Sequence, residues 1–379
     1  MCKRQFKVLV TTSVLFVGTA GADQPRTTQP AFHHGTNWKI EPSLKYDSLC
    51  LLNTLTGDPY YQTYYGKAFG EFKKKLTPEA TEALAHLKKI VKDDGGGIIS
   101  ANLCLYFSAT NDESLDDLLA TVDHPEKLRA ALAKTTYWDD EGWKRFESIR
   151  NGLRVILRWY KEIDFEDYWR EKVRPAAAAK AKSMLDRVKK YDVVPLIEKH
   201  LGRPLESDTI TVYMLTYSQP HGIKIVGTRF LTDVAWPYEI VVRNAVHEMM
   251  HPPYILEGDA ELKSVIESLR TDEFFMNKVE HHNSSFGYNT LEGFVEEDCV
   301  QAIDQIINEQ IGVASKPKAR WNASDDGMHV LAVALYQMMK EEKFPAKDKS
   351  FRDFFIRMQR EGRFKPGSIE RYHQAMYGK

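Results

Sequence analysis

The sequence predicts an α+β fold that is predominantly helical, and three observations support this prediction. Between about residues 78 and 200, strong helix formers are frequent and apolar residues recur at spacings of three and four. Residues 209–234 are instead rich in β-branched and aromatic residues, which predicts a small sheet. After residue 237 the helical spacing returns, and helix predominates from residue 328 to the end of the sequence.

Helix boundaries within the first half are indicated by capping residues. Residues 77–79 and 111–113 each combine a capping side chain with an acid in the first turn, as at a helix start. Pro175 suits the first turn of another helix. Three glycines at 95–97 predict a turn, and we expect a strand at 98–107 after it.

Strands are expected at three places in the middle segment. Residues 209–217, 223–226 and 229–234 have strand composition, and a turn at 219–222 separates the first two. The predicted sheet therefore directly precedes the helical segment that begins near residue 238.

Composition is ordinary for a globular protein able to bury a large core. The chain has 379 residues, of which 43% are hydrophobic and 28% charged. The 52 Lys and Arg residues match the 53 Asp and Glu residues, so the formal net charge is -1. This balance offers no electrostatic basis for binding nucleic acid, and we predict no nucleic-acid partner.

The first 22 residues have the three-part pattern of a secretory signal peptide. Basic residues come first, an apolar run follows at 8–17, and small residues stand at 20–22. Because the run is too short to span a bilayer, we expect cleavage and no stable membrane anchor. The protein is therefore predicted to be secreted or periplasmic. An apolar first strand or helix of the mature fold is the alternative explanation.

Three cysteines follow the predicted signal peptide, at positions 50, 104 and 299. Their odd number and wide spacing allow at most one disulfide bond. No two of them have zinc-finger spacing, so any metal site must use histidine and carboxylate ligands. We expect Cys299 to be a buried packing thiol, although a fourth metal ligand is the alternative.

A possible metal site lies at the end of residues 238–251, YEIVVRNAVHEMMH. On a helix, His247 and His251 lie one turn apart on the same face and can present two imidazoles to one cation. Glu248 is suitably placed to act as a general base on a water molecule. The alternative is that the two histidines are surface residues with this spacing by chance.

A catalytic zinc site needs a third protein ligand, and the best segment for it is residues 291–301, LEGFVEEDCVQ. Here the sequence resembles the gluzincins, zinc peptidases in which a glutamate on a second helix completes the site. Glu292-Gly293-Phe294 is similar to their Asn-Glu-Gly-Phe signature, which implies that Glu292 is the ligand. Glu296 is similar to the acid that orients a zinc-bound histidine. Glu297 and Asp298 are expected on an acidic surface.

The resemblance also implies an oxyanion donor and a division of the chain. Residues 325–329 are faintly similar to a segment that supplies a catalytic histidine, here His329; alternatively, Asp326 caps a helix there. Tyr288 and Tyr336 are weaker candidates. We expect a helical region at 23–200 and a zincin-like catalytic region at 201–379, with residues 260–278 as an inserted helical stretch.

These inferences together predict an exported zinc-dependent peptidase that binds one Zn²⁺ per chain and acts on a peptide or protein. We expect zinc to activate water and Glu248 to remove its proton. The resemblance to the gluzincins implies that residues 223–232 align the substrate backbone. Two alternatives are a catalytically silent zincin-like protein that binds peptides or a wall polymer, and a helical scaffold without metal.

Overall fold

The sheet at the centre of the chain has four strands. A computed structural model describes residues 31–283, 286 and 288–378, so the predicted signal peptide lies outside the described residues. The strands are β1 Asn37–Glu41, β2 Thr209–Leu215, β3 Ile223–Ile225 and β4 Arg229–Asp233. Their order across the sheet is β1-β2-β4-β3.

The sheet is mixed. Strands β1 and β4 both run parallel to β2, with Trp38 opposite Ile210 and Val212 opposite Phe230. Strand β3 pairs with β4 in the antiparallel direction and forms one edge. Three strands match the sequence-based prediction within two residues, whereas β1 comes from the segment predicted to be helical.

Helices make up most of the described chain, so the prediction of a predominantly helical α+β fold is confirmed. The helices before the second strand are α1 Leu44–Leu55, α2 Pro59–Lys73, α3 Pro78–Lys88, α4 Ile99–Phe107, α5 Leu115–Asp123, α6 Glu126–Leu132, α7 Asp140–Glu162, α8 Phe165–Tyr168, α9 Arg174–Val188 and α10 Val193–Leu201. Those after the sheet are α11 Tyr238–Met249, α12 Ala260–Ser268, α13 Glu273–His281, α14 Leu291–Gln310, α15 Pro317–Ala323, α16 Val330–Glu342, α17 Phe351–Arg360 and α18 Ser368–Tyr377.

Short helical segments of other types extend some of these helices. They are the π-helical turns Lys89–Asp93 and Trp169–Val173 and the 3₁₀ turns Leu269–Thr271 and Ser324–Gly327. None of the helices in the described residues is both long and apolar enough to cross a lipid bilayer.

Capping explains one predicted helix start and moves another, and a segment predicted to be a strand is a helix. Thr77 caps α3 by accepting a hydrogen bond from the Ala80 amide at 3.1 Å. Helix α5 begins after Ser114 rather than at 111–113, because Ser114 forms a capping box with Asp117. Residues 98–107 were expected to be a strand but form α4, whose apolar side chains pack into the core on most sides.

Two hydrophobic cores lie on the two faces of the sheet. Along β2, Ile210, Val212 and Met214 pack into a core built mainly by α9 to α18. Leu215, which follows Met214 and points to the opposite face of the sheet, belongs to the core built by α1 to α8. The period-2 alternation of a strand thus directs side chains to both cores. Burying each large apolar side chain contributes about 1.5–3 kcal/mol to stability.

The described residues from Phe32 onwards form one compact unit. Strand β1 lies within the region 23–200 but pairs with β2 of the region 201–379. Three cysteines are free and buried, and the Sγ atoms of Cys50 and Cys104 lie 3.9 Å apart. Cys299 is a packing thiol in the core, as expected, and is outside the metal-ligand cluster described below.

A buried histidine of α10 predicts sensitivity to acid. Burial lowers the pKa of His200 from 6.5 to about 4, while its Nδ1 donates to the Leu196 carbonyl oxygen at 2.7 Å. The unfolded chain therefore binds the proton more tightly, so stability present above pH 6.5 is lost as the pH falls towards 4. The expected loss is about 3 kcal/mol.

The variant His200→Gln removes this titration and keeps a donor for the Leu196 carbonyl. Urea unfolding of both proteins at pH 6.5 and pH 4 measures the effect. The wild-type free energy of unfolding should fall more steeply than that of the variant. Equal falls would show that His200 does not control the acid response.

Candidate metal centre

Helix α11 carries His247, the first residue of the predicted histidine pair. Its inner face, formed by Val241, Ala245, Val246 and Met249, is buried in the core, which fixes the rotation of the helix. The helix ends at Met249, so His251 follows just beyond the last turn. The two imidazoles remain together, with ring centroids 5.0 Å apart.

Three side chains converge at the end of α11. The Nε2 atoms of His247 and His251 lie 3.3 Å apart. Glu297 Oε1 lies 3.6 Å from the Nε2 of His247, and Glu297 Oε2 lies 3.5 Å from the Nε2 of His251. Zinc bonds of about 2.0–2.2 Å in tetrahedral geometry place neighbouring ligand atoms roughly 3.3–3.6 Å apart. The spacing of the three groups therefore fits one zinc ion.

Each imidazole forms a hydrogen bond to a carboxylate through Nδ1, the ring nitrogen that does not face the other histidine. The Nδ1 of His247 donates to Asp304 Oδ2 at 2.8 Å, and the Nδ1 of His251 donates to Glu296 Oε1 at 3.1 Å. Asp304 is in turn held through both of its oxygens by Arg320. Such outer carboxylates fix the tautomer and orientation of metal-binding histidines.

This arrangement leaves electron-rich atoms facing one another. When Nδ1 carries the proton in each ring, both Nε2 atoms present lone pairs towards the Glu297 carboxylate. The Oε2 atom of Glu297 is buried without a hydrogen-bond partner among the described residues. A cation between the three groups would satisfy all of them, so the residues fit a divalent metal.

Protonation of the two histidines is the alternative to a bound cation. Burial lowers the pKa of His251, but Glu296 and Glu297 more than offset this effect and raise it to about 10. For Glu297, burial opposes ionisation, but the two histidines hold its pKa far below the usual range. Either a bound cation or protonated histidines must therefore balance the negative charge of the carboxylates in and around the cluster.

The third residue of the cluster differs from the one expected. His247, His251 and Glu297 form the group whose ligand atoms lie within 4.8 Å of one another, whereas Glu292 is exposed in the first turn of α14. Five residues along a helix correspond to a rotation of about 140° between side chains, so both cannot face the site. Glu297 therefore lies beside the two histidines, which corrects the expected placement of Glu292, and Glu296 contacts His251 as expected.

Glu297 and Asp298 are buried, which corrects the expectation of an acidic surface. Glu297 is 2% exposed and Asp298 is fully buried. Asp298 accepts hydrogen bonds from the Leu331 and Ala332 amides at 3.0 and 3.1 Å and thereby caps α16. The two neighbouring acids therefore have different structural partners.

Two cavities flank the cluster and share Gly222, His247 and Glu248. The larger one, of about 630 Å³, lies between α11, α14 and α15. The smaller one, of about 320 Å³, lies between α11, β3 and α4. Because Ile98, Ala101, Asn102 and Leu105 line the smaller cavity, the N-terminal helices form one wall of the cleft.

Glu248 points into this cleft. A Cβ atom at Gly222 would lie 3.5 Å from Glu248 Oε1 and 3.1 Å from Asn244 Nδ2. The absence of a side chain at Gly222 therefore lets the loop before β3 approach the carboxylate closely. Glu248 is thus adjacent to the cluster but is not a member of it.

Comparisons of the chain with protein-family models, curated proteins and solved structures give no match. The site must be judged by its own chemistry.

The structure does not place His329 in the cleft. Its side chain is fully buried, and its ring nitrogens bond Asp298 at 2.6 Å and Asp325 at 2.9 Å. Burial lowers the pKa of His329, but these two acids more than offset this effect and raise it to about 10. His329 is the residue that precedes α16 and lines neither cavity, which corrects its assignment as oxyanion donor. Asp326 does not cap that helix either.

Tyr288, named above as a weaker candidate for this role, does line the cleft. Tyr288 lines the smaller cavity with Glu248 and His251, and burial raises the pKa of its hydroxyl well above the ordinary value. Tyr336, by contrast, donates to Glu309 at 2.7 Å. A single tyrosine among the 18 in the sequence carries no pattern that identifies it.

Asp304 was missed by the sequence analysis although a signal was present. Glu297, Gln301, Asp304 and Asn308 follow one another at spacings of four, three and four, and all four line the larger cavity. Polar residues that recur at helical spacing predict a continuous polar face along one side of the helix. This stripe marks the side of α14 that faces the metal site.

We expect Asp304→Asn to weaken zinc binding by about 10–100-fold, because the amide no longer fixes the charge and orientation of His247. Competition with a fluorescent zinc chelator measures the affinity. Glu309→Gln, further along the same helix and outside both cavities, is the matched control. Unchanged affinity in Asp304→Asn would contradict the proposed support of His247.

Proposed function

We propose that the protein is a zinc-dependent peptidase that resembles the gluzincins, with His247, His251 and Glu297 as metal ligands. The observation that supports this proposal is the convergence of two imidazoles and one carboxylate at tetrahedral ligand spacing. Three protein ligands leave one coordination position for a reactant, as in catalytic zinc sites. When bound, zinc would lower the pKa of water and polarise the carbonyl group to be attacked.

The remaining chemistry is assigned to side chains around the cleft. Glu248 takes a proton from the attacking water and returns it to the leaving amine. Tyr288, whose hydroxyl is protonated at neutral pH, donates a hydrogen bond to the oxyanion that develops on the substrate. Asp304 and Glu296 keep the two imidazoles oriented.

Strand β3 offers a surface for the substrate backbone. It is an edge strand, and Ile223 and Lys224 line the smaller cavity together with Glu248. An extended peptide that adds to this edge would run past the base and the metal ligands. A chain of at least a few residues in extended conformation is therefore the proposed substrate.

Purified protein provides the test. We expect one equivalent of zinc per chain by elemental analysis and cleavage of a mixed peptide library that stops with a chelator and returns with added zinc. Binding of zinc without cleavage of any peptide would favour the catalytically silent alternative. A chain that does not bind zinc would refute the proposed metal site.

A further inference from the structure

The larger cavity beside the metal cluster contains polar groups that the proposed mechanism does not use. It is bounded by Arg243 and Asn244 of α11, Asn308 of α14, and residues of α15. We propose that this cavity binds a carboxylate of the substrate through Arg243 and Asn308. This inference rests on the proposed peptidase function, since it specifies the substrate class of the same site.

Arg243 is a cation without a carboxylate partner. It lies one helical turn before His247, and its Nη1 donates a hydrogen bond to the neutral Ser315 hydroxyl. Among residues 31–283, 286 and 288–378, no carboxylate oxygen lies within 4.0 Å of its guanidinium. The fork of an arginine is well suited to bind a carboxylate through two hydrogen bonds.

The neighbouring acids are already engaged. Asp304 accepts hydrogen bonds from His247 and from both terminal nitrogens of Arg320. Glu297 accepts a hydrogen bond from Gln301 Nε2 at 2.9 Å and faces the two imidazoles. Asp304 and Glu239 interact electrostatically with Arg243, but neither forms a salt bridge with it, so its guanidinium can pair with an anion that enters the cavity.

Asn308 provides an independent indication of a ligand. The residue is 1% exposed and lines the cavity, yet neither Oδ1 nor Nδ2 has a hydrogen-bond partner among the described residues. Buried side-chain amides are normally satisfied, because an unmade hydrogen bond in the interior is costly. Its amide can donate to a carboxylate and accept from a peptide N–H.

The cavity is large enough for one substrate residue. Its volume of about 630 Å³ lies within the range of small-ligand sites, roughly 300–1,000 Å³. Trp236 and Ile240 supply an apolar part of the lining. A peptide carboxylate can come either from a free C-terminus or from a glutamate or aspartate side chain, and both present the same group to Arg243.

Calorimetric titration of the Glu248→Gln protein with uncleaved peptides separates these sources. One pair of probes is N-acetyl-dialanine and its C-terminal amide, and the other is an N-acetyl tripeptide amide with central glutamate or central glutamine. At least one acid should bind about tenfold or more tightly than its neutral partner, as expected for hydrogen bonds to a charged group. The titrations are repeated after zinc removal, so the result does not depend on catalysis.

Substitutions in the Glu248→Gln background assign the effect to Arg243. Arg243→Gln should abolish the preference for the acid, Arg243→Lys should retain part of it, and the exposed-surface control Arg371→Gln should retain all of it. Equal binding of acid and neutral probes, or a preference that survives Arg243→Gln, would overturn the proposal. If Arg243→Gln does not fold, the acid–amide comparison and Arg243→Lys still decide the question. Absence of peptidase activity in the zinc-loaded wild-type protein, with the acid preference retained in the Glu248→Gln titrations, would refute the proposed function alone.

Discussion

The variant Glu248→Gln should retain one equivalent of zinc and lose hydrolysis by about 10²–10⁴-fold. The amide has nearly the size of the carboxylate but cannot accept a proton from water, and general bases contribute rate factors of this order. Because Glu248 lies in both cavities but outside the ligand cluster, its substitution leaves the metal-binding atoms unchanged. Elemental analysis and the rate of peptide cleavage measure the two properties separately.

A surface variant controls for general effects of removing a carboxylate. Glu267 is exposed and lies on α12, away from both cavities, and Glu267→Gln should retain full activity. If Glu248→Gln cleaves peptides at the wild-type rate, Glu248 is not the base. If it loses both zinc and activity, the measurement does not support separate roles for Glu248 and the metal ligands.

Substitution of two glutamates in α14 should have opposite outcomes. We expect Glu297→Gln to weaken zinc binding by more than about 100-fold, because removal of a direct ligand exceeds the effect of losing an outer partner. Glu292→Gln should bind zinc as tightly as the wild type, since Glu292 is exposed in the first turn of the helix. Zinc affinity measured by chelator competition distinguishes the two variants.

The pair of variants decides between two arrangements of the site. Loss of zinc in Glu292→Gln with normal binding in Glu297→Gln would restore the ligand implied by the sequence resemblance. Thermal unfolding of both zinc-free proteins serves as the control. A difference in zinc affinity then cannot arise from a difference in folding.

Local sequence patterns predicted most of the helices and strands of the fold. The strand composition of residues 209–234 predicted β2, β3 and β4 nearly to the residue, because strand preference follows from a half-buried pleated surface. The apolar run 98–107 was misassigned, since periodicity alone does not separate a buried strand from a buried helix. Strand β1 was missed because its pairing partner is distant in the sequence.

The sequence by itself determined the pairing of His247 with His251, because a spacing of four residues places side chains on one face of a helix. It also determined that Glu248 adjoins them. The tertiary structure decided that Glu297 rather than Glu292 meets this pair, and that Asp304 supports it. The packing of α14 against α11 sets the rotation of each helix, and this rotation depends on contacts between residues far apart in the chain.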